Sequence, residues 1–405
     1  MPITKADIRK VMRGMPFISV DGCASGFYNV MPLGLWAERC MNHLTNVIRR
    51  GIQVHRVSFP LAFPANHPHI QKLIHQFDKR DEIFHMRDEP LALSYSPDPN
   101  LLLWLANKKI AKHHLPYAIE THSIFLRKIK SGGINGIDRV RQFAFPGIFM
   151  LNAKQEAGDN VWLFLKLASQ IMNNLFHDRW KTKITVCENF YHQNKNHFDG
   201  IETATGQRVE IKFVSEQTRY FAYKLGLYAN AGYADLMIFN LQWDNTNPGI
   251  FNISTDQDEL IILHATLAGA INRVYPALIA QGLEKKVNVF SPLVAPYQVG
   301  VVFDKNNQNK AVIQSLSDIF EEKNIRHYHA KAKKFHDKVA EVDQLWAPYI
   351  IIVPSDANCF DHLKIFDRTQ NKARISFPSL VEKLCSIATT DYALFHNQAD
   401  NELPF

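Results

Sequence analysis

In "FLRKIKSGGINGIDRVRQF", residues 125–143, Arg127, Lys128 and Lys130 precede a glycine-rich turn, and Arg139 and Arg141 follow it. The flanking residues are apolar, so the stretch reads as a hairpin that carries positive charge where strands normally bury themselves. Cations held in that way favour a polyanionic partner, and the chain's formal charge of +7 permits one. A second basic group runs Arg326, His327, His329, Lys331, Lys333, Lys334, Lys338, interrupted by Tyr328 and Phe335 and extended by Arg368, Lys372 and Arg374. Aromatics among cations suit single-stranded RNA, whose bases stack and whose phosphates pair with lysine. His264, alone at an apolar strand end, reads as a satisfied core histidine. No P-loop, dinucleotide fingerprint, nucleophile elbow or HExxH motif occurs.

The elements that must position these residues follow from periodicity. "PLGLWAERCMNHLTNVIRRGIQVHRVSFPLAFP" predicts a helix, with Leu35, Trp36, Cys40, Leu44, Val47 and Ile48 at helical spacing and Gly51 as its stop. A strand from Val54 follows and is cut short by Pro60. "IFHMRDEPLALSYSPDP" predicts two short strands around Pro90, and "NLLLWLANKKIA" a helix beginning after Pro99. "VWLFLKLASQIMNNLF" predicts a buried helix, and "GQRVEIKFV" and "ADLMIFNLQW" strands. "ELIILHATLAGAINRVYPALIAQ" predicts a strand feeding a helix that carries Arg273. Strands interleaved with helices and joined by hairpins imply an α/β (α+β) domain with a largely antiparallel sheet. After "GLEKKVNVFSPLVAPYQ" the pattern becomes a compact α/β domain, so the expected division is 1–288 and 289–405, and 405 residues suffice for two cores. The five scattered cysteines form no CxxC pair, which argues for a reducing compartment. With no long apolar run, the expectation is a cytoplasmic protein with no membrane partner.

In their order the segments resemble the catalytic core of class II aminoacyl-tRNA synthetases, of the threonyl/prolyl subclass, followed by that subclass's anticodon-binding domain. The helix–strand ending at Pro60 is similar to motif 1, the dimer-interface element. The opening hairpin is similar to motif 2, and "LHATLAGAINRV" to motif 3, with Gly269 and Arg273 at its glycine and arginine positions. "HMRDEP" (85–90) mimics the arginine-x-glutamate core of motif 2, but it follows Pro60 too closely and no second basic strand comes after it. The resemblance implies an antiparallel sheet with flanking helices and an anticodon-binding-like α/β domain. It places Arg127 on the α-phosphate of ATP and Arg273 on the γ-phosphate and adenine, with Arg139 adding charge. Gly132, Gly133 and Gly136 would let the loop bend towards a tRNA acceptor end. Guanidinium donors fixed in a dry site stabilise charge developing on phosphorus.

The departures carry as much. Ile129 stands where motif 2 has its glutamate, and Asn272 where motif 3 has one. At the three zinc positions of threonyl enzymes stand Asp98, Phe149 and His264. Phenylalanine cannot ligate, so a zinc site is not expected and His264 is a remnant of it. Ordinary threonyl-tRNA synthesis is not expected either. The expectation is a ligase that takes ATP with Mg2+ and a small carboxylic or amino acid, forms an acyl-adenylate, and passes it to tRNA or another acceptor, as a homodimer joined through motif 1. The alternative is a catalytically inactive synthetase-like dimer that binds tRNA or another nucleic acid, or regulates a partner.

Overall fold

The computed structural model describes residues 3–15, 17–48, 52–77, 80–135, 138–215, 220–256, 259–267, 269–303, 309–370 and 373–392. They form two compact units. The smaller joins 1–19 and 30–47 to 278–401, and the larger holds 20–29 and 48–277. The chain is therefore not divided by one cut after residue 288, and the reason is apolar packing. Helix α1 (Lys5–Gly14) buries Ile8 and Met12. Helix α2 (Pro32–Ile48) buries Leu33, Ala37, Cys40, Met41 and Leu44. Within the smaller unit Phe17 meets Phe290 edge-on, their rings 6.2 Å apart, and the Cys40 thiol donates to the Ala295 carbonyl. Leu35 and Trp36, expected on the buried face of α2, point outward; Gly51 lies outside the described residues.

The larger unit is built on eight strands: β1 (Val54–Arg56), β2 (Tyr117–Leu126), β3 (Gln142–Ala153), β4 (Trp180–Cys187), β5 (Val209–Val214), β6 (Phe221–Asn230), β7 (Asp235–Asp244) and β8 (Leu260–Thr266). Their order across the sheet is β5-β4-β6-β7-β8-β3-β2-β1. The two outer pairs, β4/β5 and β1/β2, are parallel and every pair between them is antiparallel. That is the mixed, mainly antiparallel sheet the sequence implied. Strands β2 and β3 form the expected hairpin, closing with Leu126 opposite Gln142. Arg127, Lys128, Lys130, Arg139 and Arg141 thus lie in the connection beyond the paired strands. Helix α3 (Asp98–Leu105) starts one residue before Pro99, which sits in its first turn, where a missing N–H costs nothing. Its Leu101, Leu102 and Leu105 join Ile119, Leu151 and Ile262 in one core, which seats the helix on the sheet and fixes the place of Asp98. Helix α4 (Lys154–Phe176) packs across β3, β6 and β8.

The smaller unit holds a sheet of β9 (Val299–Phe303), β10 (His327–His329), β11 (Tyr349–Val353), β12 (Lys364–Asp367) and β13 (Ala373–Arg374), in the order β10-β9-β11-β12-β13. Residues Val301, Leu316, Phe320, Ile351, Leu380 and Leu384 form its main core, and Val302, Ala330, Val342 and Ala347 a second. Alternating strand residues facing opposite ways account for the two cores. Among the described residues no helix is long and apolar enough to cross a membrane.

Candidate active site

Strand register builds the floor of a cavity of about 460 Å3 in the larger unit. Gln242 of β7 pairs with His264 of β8, and His264 with Phe149 of β3. Side chains two residues apart share a face, so Asn240, Gly147 and Phe145 join them on the cavity side. Into this cavity reach Arg127 from the end of β2, Arg139 from the connection, and Arg273 from helix α5 (Ile271–Lys285). The sequence-predicted arginines of motifs 2 and 3 are thus brought together. The Arg87 decoy lies on an exposed stretch.

The Arg127 Nε donates to the Tyr95 carbonyl at 3.2 Å, and the guanidinium lies 5.1 Å from the centre of the Phe143 ring. Burial pulls its pKa below the usual arginine value, with Glu82 acting in the opposite sense. Arg273 Nη1 donates to the Met237 carbonyl at 3.4 Å; burial depresses its pKa and the Arg127 charge depresses it further. Arg139 meets Glu82 at 3.5 Å. Among the described residues neither Arg127 nor Arg273 has an ion-pair partner. Two buried guanidinium groups gathered with no carboxylate in direct contact mark a place for an anion.

The supporting frame is local. Arg141 is structural: its Nε and Nη2 donate to the Ile129 carbonyl at 3.0 and 2.9 Å, and its Nη1 to Ser25 at 3.0 Å, which ties the connection down. Gly269 has φ +68°, and a Cβ there would stand 2.8 Å from the Ile238 carbonyl oxygen. A side chain fits neither that backbone nor that space, so the motif 3 glycine is required by packing. Ile129 is buried and lines the cavity, with no group that could read an amine. Gly133 is described, whereas Gly136 lies outside the described residues.

His264 is a satisfied histidine, as expected, and its partners are charged. Nδ1 meets Asp98 Oδ1 at 2.9 Å and Nε2 meets Asp244 Oδ2 at 2.9 Å. Burial pushes the imidazole's pKa down, but the two carboxylates more than reverse this and raise it to about 9. Burial likewise pushes the Asp98 carboxyl up, and the His264 hydrogen bond overrides it, leaving Asp98 below its ordinary value. With both ring nitrogens taken and Phe149 beside them, its ring 4.7 Å from the imidazole, these residues do not fit a zinc ion. Asp244 was missed by sequence reasoning. Its signal was the "WDNTNP" turn, where its carboxylate forms an Asx turn by accepting from the Thr246 and Asn247 amides at 3.0 and 2.9 Å.

The basic group of the smaller unit divides. Lys331, Lys333, Lys334 and Arg374 are exposed. Three others are corrected to structural roles. Arg326 donates to the Ala295 and Pro292 carbonyls at 3.0 and 3.1 Å. Lys338 is buried and donates to the Phe303 carbonyl. Arg368, also buried, donates to the Ala347 and Asn288 carbonyls at 2.9 and 2.8 Å and pairs with Asp343. Main-chain carbonyls, most of them in loops, claim these cations before any phosphate can. Lys372 lies outside the described residues.

The class of fold is shared with solved tRNA synthetases. The chain superposes on the crystal structure described as the RNA binding domain of threonyl-tRNA synthetase from Cryptosporidium parvum Iowa II with TM-score 0.78, at 15% identity, covering 94% of this chain and 98% of that one. On prolyl-tRNA synthetase from Cryptosporidium parvum, complexed with L-proline and AMP, it superposes with TM-score 0.70, at 12% identity, covering 96% and 78%. In sequence it is similar to the threonine–tRNA ligase of Thermococcus sibiricus, 23% identical over 371 residues and covering 87% of this chain. The chain spans 59% of that relative's length. No family model matches it. In sequence the chain is thus similar, at low identity, to threonyl-tRNA synthetases, and in fold to solved threonyl- and prolyl-tRNA synthetase structures.

Proposed function

We propose that the larger unit binds ATP and activates an amino or related carboxylic acid as an acyl-adenylate for transfer to tRNA or another acceptor. One observation carries the reading: Arg127, Arg139 and Arg273, from separate stretches of chain, reach one cavity, and among the described residues Arg139 alone of the three has a carboxylate partner. In the first step a carboxylate oxygen of the acid attacks the α-phosphorus of ATP and forms an O–P bond. The bond from that phosphorus to the bridging oxygen breaks, and pyrophosphate leaves with the electron pair. Negative charge grows on the phosphoryl oxygens, and Arg127 is the donor assigned to it, already oriented through Tyr95 and Phe143. Arg273 takes the γ-phosphate and flanks the adenine, and Arg139 adds charge at the rim. In the second step an acceptor hydroxyl attacks the acyl carbon, AMP departs with the electron pair, and the hydroxyl proton passes to solvent.

Mg2+ would enter with the nucleotide as its counter-ion. Glu82 is engaged by Arg139, Asp98 by His264, Asp138 by Tyr233 and Asp235 by Lys181 and Lys183, so the lining carboxylates do not fit a dedicated magnesium site, and neither step is routed through one. The exposed Lys331, Lys333, Lys334 and Arg374 are the cations offered to RNA, and the outward-facing Leu35 and Trp36 of α2 support a homodimer through the motif 1 region. ATP–pyrophosphate exchange, scanned over the twenty amino acids, tests the reading. Exchange with one of them, reduced about a hundredfold or more by Arg127→Ala, is expected. ATP binding without exchange would leave an inactive nucleotide-holding protein, and no ATP binding would overturn the reading.

A further inference from the structure

The cavity's floor carries a charge that the arginines do not explain. Asp98 and Asp244 flank one imidazolium, so the buried trio has a net charge of −1. Asp244 is wholly buried, and its oxygens accept from His264, the Thr246 and Asn247 amides and the Asn247 side chain. Asp98 lines the cavity and keeps 12% of its side chain exposed, so the excess charge is reachable only there. Arg127 lies within the field of Asp98. Opposite charges in one cavity match a zwitterion. Two further groups point to a ligand with donors: Asn240 Oδ1 and Asn272 Oδ1, on the cavity wall, are buried and have no hydrogen-bond partner among the described residues.

Around Gly147 that floor is apolar. A Cβ on Gly147 would stand 3.6 Å from Phe145, 3.7 Å from Phe149 and 3.9 Å from Pro97, in van der Waals contact with all three, so the glycine lies among apolar groups with room for about a methyl. A hydroxyl placed among those rings would lose water and gain no partner.

We propose that the cavity takes, without a metal, an amino acid with an apolar side chain, Asp98 holding the ammonium and Phe145, Gly147 and Phe149 receiving the side chain. The carboxylate then faces Arg127, which rests on the adenylate reading above. The test is calorimetric titration of the full chain in EDTA with L-amino acids and, separately, with a non-hydrolysable ATP analogue. Valine, isoleucine, leucine, methionine or phenylalanine should bind, and the N-acetyl form of the best of them should bind about tenfold to a hundredfold more weakly, as should the parent to Asp98→Asn. Gly147→Ala should weaken binding of the larger side chains more than of alanine. Should Asp98→Asn fail to fold, the N-acetyl comparison on the unaltered chain decides. Preference for threonine or serine, a need for zinc, or equal binding of the N-acetyl form would overturn the inference. Nucleotide binding with no amino acid bound would overturn it while sparing the adenylate reading, and amino-acid binding without nucleotide would do the reverse.

Discussion

Proton affinity at His264 offers the sharpest check on the site. The groups facing this imidazole are Asp98 from α3, Asp244 from β7, and the Tyr220 and Phe149 rings. Its pKa rises from 6.5 to about 9 because two carboxylates outweigh burial. At ~1.4 kcal/mol for each tenfold change in proton affinity, the folded state prefers the imidazolium by about 3 kcal/mol more than the unfolded chain does. The folded value lies above the unfolded one, so this stabilisation is complete below pH 6.5 and is lost as pH rises through about 9. Histidine-selective isotope labelling reads the titration by NMR, with the His264 signal assigned by its absence in His264→Gln. A midpoint near 9 is expected. The stability gap between the unaltered chain and His264→Gln should also shrink between pH 7 and 10, the subtraction cancelling lysines and tyrosines that titrate alike in both. A midpoint at or below 6.5 would refute the ion-paired trio and remove the negative charge on which amino-acid recognition rests.

Three other outcomes follow from the packing. Gly269→Ala should lower the stability of the larger unit by roughly 1–3 kcal/mol, from its positive φ and the Ile238 carbonyl, seen as a lower melting temperature; an unchanged melt would mean the turn relaxes freely. Leu316→Ala, in the main core of the smaller unit, should cost about 2–5 kcal/mol in urea unfolding. Arg368→Ala should destabilise the smaller unit by about 3 kcal/mol or more by leaving Asp343 and two carbonyls without their donor, whereas Lys333→Ala should change stability by less than ~0.5 kcal/mol and weaken tRNA binding most at low salt. Equal effects of the two on stability would undo the division of the basic group.

The hairpin and the helix after β8 were legible because apolar strands, glycines and arginines occur there in an order few folds share. Arg127 and Arg273 could be named for the same reason. Their surroundings could not, since the Tyr95 carbonyl and the Phe143 ring reach Arg127 through tertiary contact alone. Arg326, Lys338 and Arg368 misled because sequence shows a cation's charge but not the main-chain carbonyls that claim it. Strand β6, "FAYKLGLYAN", is apolar on both faces and interrupted by glycine, so no alternation announces it. Asp244 reads as a turn residue, and only strand pairing reveals that it also faces His264.

Because the smaller unit is assembled from residues 1–19, 30–47 and 278–401, a ribosome must first translate the segment 48–277 of the larger unit before the smaller one can close. During synthesis, α1 and α2 leave the tunnel before the larger unit's segment 48–277, and Phe17 and Cys40 must wait for Phe290 and Ala295, their partners beyond it. A fragment cut at residue 289 would be born without those helices and would show solvent an apolar scar, so anyone wishing to study the tail in isolation should graft the first 47 residues onto it.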